Sequence, residues 1–153
     1  METSATKYHP RNFFQERKSL RHALEFLEAN IETIHNVTQW AADMGYSRCY
    51  FSRTIHDIYG ETAISLLHKV RLAALCDAWN YHPDKKAYSI AQETGFKDDK
   101  MMGQFLSRNF HIVIADMRKK AEVGFDELEM IKMSKEEIYC YFKNRTETNC
   151  MKA

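Results

Sequence analysis

The sequence is poor in residues that interrupt helices, and it lacks long apolar runs. Only 5 Gly and 2 Pro occur among its 153 residues, which favours helices over a sheet with many turns. No run of 18 apolar residues is present, and residues 1–20 contain no apolar segment typical of a signal peptide. We therefore expect an all-α, cytoplasmic protein with no membrane partner.

Closely spaced cysteines are absent as well. Cys49, Cys76, Cys140 and Cys150 form no CxxC pair, so neither a zinc knuckle nor a disulfide framework is indicated, and we expect reduced thiols. The seven histidines show no paired metal spacing, and no potential nucleophile has an acid–base partner nearby in the sequence. We expect no catalytic residue, no metal, no cofactor and no enzyme activity.

The chain also lacks an excess of charge of one sign. Its 22 Lys and Arg nearly balance its 21 Asp and Glu, for a net charge of +1, whereas a broad basic patch gives a far more basic domain. Residues 1–120 carry a net +3 and residues 121–153 a net −2. Contacts with DNA must therefore come from a few basic side chains in particular positions.

Apolar periodicity and capping residues predict a series of helices after a flexible segment over residues 1–18. Asn36 and Ser47 are predicted N-caps. The helix that begins after Asn36 is predicted to end at Gly45, and the helix that begins after Ser47 is predicted to end at Gly60. The predicted helices cover about residues 19–31, 37–44, 48–59, 62–80, 87–94, 98–110 and 114–121.

An internal repeat is the most informative feature. Ala41-xxx-Gly45-x-Ser47-xxx-Phe51-xxx-Ile55 recurs as Ala91-xxx-Gly95-xx-Asp98-xxx-Met102-xxx-Leu106. Each copy predicts a helix, a glycine turn and a second capped helix, as in a helix-turn-helix unit. Two hairpins packed as a plain bundle are the alternative. Two copies joined by a long helix favour two helix-turn-helix units, over about 36–59 and 87–110.

Three stretches resemble the DNA-binding domain of the AraC/XylS family, and the resemblance spans about Leu20 to Arg118. The stretches are Trp40-Ala41-xxx-Gly45-x-Ser47-xx-Tyr50-Phe51-x-Arg53, Gly60-x-Thr62-xxx-Leu66-Leu67-xxx-Arg71-Leu72 and Ile90-Ala91-xxx-Gly95-Phe96-x-Asp98. The resemblance implies a sequence-specific DNA-binding transcription regulator, with two helix-turn-helix subdomains and a long linker helix within residues 19–120. Where the family usually has Gly-x-Ser-Pro-xx-Tyr-Arg, residues 111–118 keep only the final arginine. We expect the second unit to diverge in packing, DNA contact or both.

The resemblance implies that the second helix of each unit enters a major groove of double-stranded DNA. With Phe51 and Ile55 facing inward, the outward residues of the first unit are Arg48, Cys49, Ser52, Arg53 and His56. Those of the second unit are Asp99, Lys100, Gly103, Gln104 and Ser107. Arg53 can pair with guanine and Gln104 with adenine, and Gly103 would let the backbone approach DNA. The alternatives are a merely solvated Arg53 and a second unit that reads no bases.

Other prominent residues are expected to have structural roles. Asp98 is expected to cap its helix, and Arg71, which matches a family arginine, is expected to be structural rather than a base reader. Apolar side chains expected in the core are Trp40, Trp79, Met101 and Met102.

Residues 121–153 lie outside the family pattern and are expected to form a helical C-terminal extension. A capping box is predicted at Ser134-xx-Glu137. Apolar positions in this extension are Phe125, Leu128, Ile131, Ile138, Tyr139 and Phe142. We expect the extension to pack on the domain, and dimerisation or partner binding is the alternative.

Because only 18 residues precede the first predicted helix, we expect no ligand-sensing domain and a short, stand-alone, MarA/SoxS-like member of the family. The resemblance then implies a monomeric bacterial activator that acts beside RNA polymerase. The alternative is a protein-binding module that keeps the fold and antagonises another regulator or contacts polymerase. The near-neutral charge and the altered 111–118 signature favour this alternative.

Overall fold

The computed structural model describes residues 18–121 and 131–143. This part of the chain contains a short 3₁₀ helix and eight α-helices with described bounds, and it contains no β-strand, as predicted. The elements are the 3₁₀ helix Leu20–His22, α1 Ala23–Ala29, α2 Val37–Met44, α3 Arg48–Tyr59, α4 Ala63–Tyr81, α5 Ala87–Glu93, α6 Asp99–Phe110, α7 Ile114–Ala121 and α8 Lys135–Phe142. None of these helices is long and apolar enough to cross a membrane. The chain divides into two compact units, Met1–Leu67 and His68–Ala153.

Side-chain caps and a glycine turn shape the first helix-turn-helix, which consists of α2 and α3. Asn36 Oδ1 accepts a hydrogen bond from Gln39 N at 2.8 Å, and Ser47 Oγ accepts one from Tyr50 N at 3.4 Å. Gly45, between the two helices, adopts φ 92°, a left-handed conformation that glycine reaches without strain. Both predicted caps and the predicted turn are confirmed.

The interior of the first unit is apolar and closely packed. Trp40 and Phe51 are fully buried, with ring centroids 4.9 Å apart in an edge-to-face arrangement. The expectation that Trp40 lies in the core is confirmed. Near the end of α3, the hydroxyl of Tyr59 accepts from Leu24 N at 3.3 Å and lies 3.1 Å from Arg21 O, to which it donates. This hydroxyl ties α3 to the N-terminal helices.

The first predicted helix, over 19–31, is shorter than expected. It opens as a 3₁₀ turn capped by Ser19, continues as α1 and ends at Ala29. Asn30 explains the early end, because its side-chain Nδ2 donates to Phe26 O at 2.8 Å and so competes with the helical hydrogen bond. Ile31 is nevertheless buried, so the apolar face continues past the helix end.

Arg71 is a structural residue in the second unit, as expected. It is buried on α4, its Nη1 donates to Thr94 O at 3.2 Å, and its guanidinium lies 5.5 Å from the centroid of the Phe96 ring. Burial lowers the pKa of this guanidinium. Arg71 thereby fixes the turn between α5 and α6, where Gly95 adopts φ 92°.

His68 begins the second unit in a strongly desolvated position. Its Nδ1 is buried and has no hydrogen-bond partner among the described residues, and its ring lies edge-on to Phe105 at 5.5 Å. Desolvation, reinforced by the positive charges of Lys135 and Arg71, lowers its pKa to about 4. The imidazole is therefore neutral at pH 7.

The altered 111–118 signature keeps the helical geometry with different residues. His111 ends α6 with φ 57°, the left-handed conformation for which the family pattern has glycine. Val113 has no capping side chain, but its backbone N donates to Asp116 Oδ2 at 3.2 Å. Arg118 Nη2 donates to Lys85 O at 3.3 Å. The divergence therefore changes the local contacts and leaves α7 in place.

The described part of the C-terminal extension packs on the second unit. Ser134 and Glu137 form both hydrogen bonds of the predicted capping box, at 3.1 and 2.8 Å. Ile138 and Phe142 of α8 join the core cluster that contains Trp79. The expected packing of the extension is confirmed for α8, and the expected core position of Trp79 is confirmed as well. Phe125 and Leu128 lie outside the described residues.

Two expectations are wrong. Met101 is 47% exposed, whereas Met102 is fully buried, so only the second methionine of the pair belongs to the core. Cys140 is disulfide-bonded, whereas Cys49 and Cys76 are not part of a disulfide. The spacing of cysteines along a chain does not determine which thiols the fold brings together, so reduced thiols could not be inferred from sequence distance.

Candidate nucleic-acid interface

The outward face of α3 carries the residues predicted for the first unit. Phe51 and Ile55 are fully buried one turn apart, so the opposite side of the helix faces solvent. Arg48, Cys49, Arg53 and His56 are exposed, and Ser52 is half-buried.

Four of these five residues line one shallow cavity. Its volume is about 350 Å³, and its lining residues are Val37, Arg48, Ser52, Arg53, His56, Thr62, Ala63 and Ile64. Two guanidinium groups and an imidazole thus lie beside an apolar surface and the N-terminus of α4. This combination suits contacts with a phosphate backbone and with base edges at the same time. Cys49 is exposed outside this lining.

The outward face of α6 differs in composition from that of α3. Met102, Leu106 and Phe110 are buried, which leaves Lys100 and Ser107 exposed. Gly103 and Gln104 are half-buried. A Cβ atom at Gly103 would lie 3.6 Å from Ile114 Cδ1, an ordinary contact distance, so this glycine borders the start of α7. The predicted close approach of DNA at Gly103 gains no support from this geometry.

Basic residues also lie at the end of α7, and an acidic residue caps α6. The last turn of α7 carries Arg118, Lys119 and Lys120. Asp98, as expected, caps α6, because its Oδ1 accepts from Met101 N at 2.9 Å. The Asp98 carboxylate therefore has a structural role at the start of α6.

Two exposed, large apolar residues in the first turns of these helices are absent from the predicted set. Tyr50 on α3 is 50% exposed, and Met101 on α6 is 47% exposed. Residue type assigned Met101 to the core, and Tyr50 was given no role of its own. The repeat contained a usable signal, because both residues lie three positions after the capping residue, Ser47 or Asp98.

A family model described as a helix-turn-helix domain matches residues 40–120, which is more than half of the chain. The chain belongs to the AraC-type helix-turn-helix family. The match covers α3 to α6 in full and α7 up to its penultimate residue, so both helix-turn-helix units contribute to it. No curated protein matches the sequence. The AraC-type domain makes this protein a DNA-binding transcription regulator, and domains of this type are typically not enzymes.

Proposed function

We propose that the protein recognises a specific DNA sequence by inserting α3 and α6 into successive major grooves. The observation that carries the proposal is the shared design of the two helices. Each has 12 residues, follows a left-handed glycine and begins at a side-chain cap, Ser47 or Asp98. Such a helix presents its N-terminal residues outward, which is how helix-turn-helix proteins contact bases.

The side chains suggest distinct roles in this complex. Arg53 is the proposed principal base reader, because a guanidinium pairs bidentately with guanine. Gln104 is its proposed counterpart on α6, where an amide can pair with adenine. The proposed supporting contacts to phosphates and base edges come from Arg48, Cys49, Ser52, His56, Lys100 and Ser107.

The proposed wider role is that of a MarA/SoxS-like activator in the cytoplasm, with RNA polymerase as its protein partner. We assign the DNA-binding domain to residues 19–120 and a helical extension to residues 121–153. The buried residues Ile138 and Phe142 of α8 support a monomer, because they pack within the second unit and are not available to a partner.

A salt titration of binding to selected and random DNA tests the proposal. A reader of DNA that neutralises several phosphates loses affinity steeply, with a logarithmic slope of about −0.9 for each phosphate contact. The preferred site should also bind at least about 10³-fold more tightly than random DNA at physiological salt. Arg53→Ala removes the proposed base reader. Lys132→Ala is its control, because it removes the same charge from an exposed lysine in the extension.

A flat salt dependence and equal affinity for both DNAs would contradict the proposal. That result would favour the protein-binding module, which keeps the fold and acts on another regulator or on polymerase. The near-neutral charge of the chain is the observation in favour of that rival.

A further inference from the structure

The third residue of a helix is used in two different ways in this protein. In three helices its side chain accepts a hydrogen bond from the backbone just before the helix. Gln39 of α2 accepts from His35 N at 3.1 Å, Asp116 of α7 from Val113 N at 3.2 Å, and Glu137 of α8 from Ser134 N at 2.8 Å. Acidic and amide residues are common at this position because they satisfy an otherwise free backbone donor.

The two proposed recognition helices, α3 and α6, both depart from this pattern. Their third residues are Tyr50 on α3 and Met101 on α6, which are 50% and 47% exposed. The backbone N–H of each is capped, by Ser47 and by Asp98. Each helix therefore retains the first half of a capping box and replaces the second half with a large apolar side chain in solvent.

Tyr50 is held in position before any ligand arrives. Its ring stacks on Tyr46 with centroids 5.6 Å apart and an interplanar angle of 14°. The Tyr46 hydroxyl donates to Lys18 O at 2.7 Å. Such support reduces the conformational entropy that a contact with a partner would cost. Met101 has an unbranched thioether side chain, which adapts its shape to an apolar surface.

The apolar feature that a major groove offers to such side chains is the C5 methyl group of thymine. Residues in the first turn of a recognition helix lie nearest the base edges. A carboxylate at the same position would be repelled by the phosphates. We propose that Tyr50 and Met101 each contact thymine methyl groups, one in each half of the DNA site. This inference rests on the proposed function and adds two specificity-determining residues to it.

Replacement of thymine by uracil tests the contact, because it removes one methyl group and leaves base pairing unchanged. The full chain is first used to select its preferred DNA site. Each thymine of that site is then replaced singly by deoxyuridine, and the dissociation constants are measured. We expect a loss of about four-fold at one thymine or more in each half-site, since the methyl is about the size of one buried methylene group.

Protein variants assign each loss to its side chain. In Tyr50→Ala the uracil penalty in one half-site should vanish, and in Met101→Ala the penalty in the other half-site should vanish. Tyr50→Phe and Met101→Leu keep an apolar side chain and should retain the penalties. Ile58→Ala on α3 and Val113→Ala before α7 are matched controls, because these side chains are also exposed, at 42% and 53%. Circular dichroism checks that each variant folds.

The outcomes separate this inference from the proposed function. A selected site at which no thymine is sensitive to uracil, or penalties that persist in both alanine variants, would overturn the inference and leave sequence-specific binding intact. A selection that yields no preferred site would overturn the proposed function and the inference together. A penalty that is lost equally in Tyr50→Phe would point to a phenol contact and would also overturn the assignment to the ring.

Discussion

The two units share the helix-turn-helix design, but they differ in which part of the sequence completes the core. This part precedes the motif in the first unit and follows it in the second. In the first unit the recognition helix α3 is tied to the preceding 3₁₀ helix and α1 through the Tyr59 hydroxyl. In the second unit the core around α6 is completed by α8, which follows it in the sequence. The repeated motif therefore encodes the recognition hairpin, and the flanking sequence of each unit supplies the residues that complete its core.

The residues that end the two recognition helices also differ. Gly60 ends α3 with φ 75°, and His111 ends α6 with φ 57°. Left-handed backbone is strained for a residue with a side chain and free for glycine. The second unit thus has a residue with a side chain where the first has glycine, so we expect its altered signature to cost local energy, although α7 still forms.

Removing one core residue from each flanking helix should have the largest effect. Phe142→Ala in α8 should destabilise the second unit by about 3–5 kcal/mol, and Leu27→Ala in α1 should destabilise the first by about 2–5 kcal/mol. Both side chains are almost fully buried, at 1% and 0% exposure. Chemical unfolding with hydrogen exchange as a readout identifies the unit that is affected. An unchanged midpoint for Phe142→Ala would mean that α8 does not stabilise the second unit.

Removing the proposed base readers should give the next largest effect and should distinguish the units. Arg53→Ala should cost about 1–3 kcal/mol of specific binding and relax the preference at one base pair. Gln104→Ala should act about one helical turn away, roughly 34 Å along the duplex, with a smaller loss, because Gln104 is half-buried and Arg53 is exposed. Competition binding with sites altered at single positions measures both losses. An equal or larger loss at Gln104 would reverse the proposed order of the two units.

Acid should weaken the second unit through His68. Its pKa in the fold is about 4, below its ordinary value of 6.5, so the unfolded chain binds a proton first as the pH falls. Stability is therefore lost between about pH 6.5 and 4. With a discount for its partial exposure, we expect wild type to lose about 1–2 kcal/mol more than His68→Phe between pH 7 and 4.5. Urea unfolding at both pH values measures this difference.

The exposed His82 provides the control for this experiment. His82→Phe should keep the acid sensitivity of wild type. If His68→Phe also loses stability in acid as wild type does, the desolvated imidazole is not its source.

Replacing the residues that end the recognition helices should have the smallest effect on the free energy of unfolding. The change should be a loss in the first unit and a gain in the second. Gly60→Ala should cost about 1 kcal/mol, and backbone strain alone should cause the loss, because nothing lies within 4 Å of the added Cβ. His111→Gly should gain about 0.5–1 kcal/mol, since relief of strain exceeds the added entropy of the unfolded chain. Thermal unfolding measures both changes. A loss in His111→Gly would indicate that the imidazole makes a stabilising contact.

Local chemistry explains why most helix ends could be predicted. Asn36, Ser47 and Asp98 cap the helices that they were expected to cap, because a short polar side chain bonds to a backbone N–H only three residues away. The early end of α1 also has a local cause at Asn30. It was missed because asparagine is compatible with either a helix or its end.

Residues whose environment depends on distant parts of the chain could not be assigned in this way. Met101 and Met102 are a different case, because the helix register directs only Met102 toward the core, and the repeat, which aligns Met102 with Phe51, contains that register although residue type does not. The half-buried state of Gln104 and the 3.6 Å approach of Ile114 to a Cβ at Gly103 depend on the packing of the second unit. The outward face of α3 was predicted well because two large buried residues, Phe51 and Ile55, determine its orientation.

The position of α8 also has a consequence for synthesis on the ribosome. The first unit has all its residues once Leu67 has emerged, whereas the core of the second remains incomplete until Ile138 and Phe142 follow. Because synthesis adds about 5–20 residues per second, the nascent chain spends several seconds with a complete first unit and a second unit that still exposes apolar surface. A premature stop codon between these two points would therefore yield a product with an intact first unit and an unfinished second unit, which chaperones and proteases would recognise.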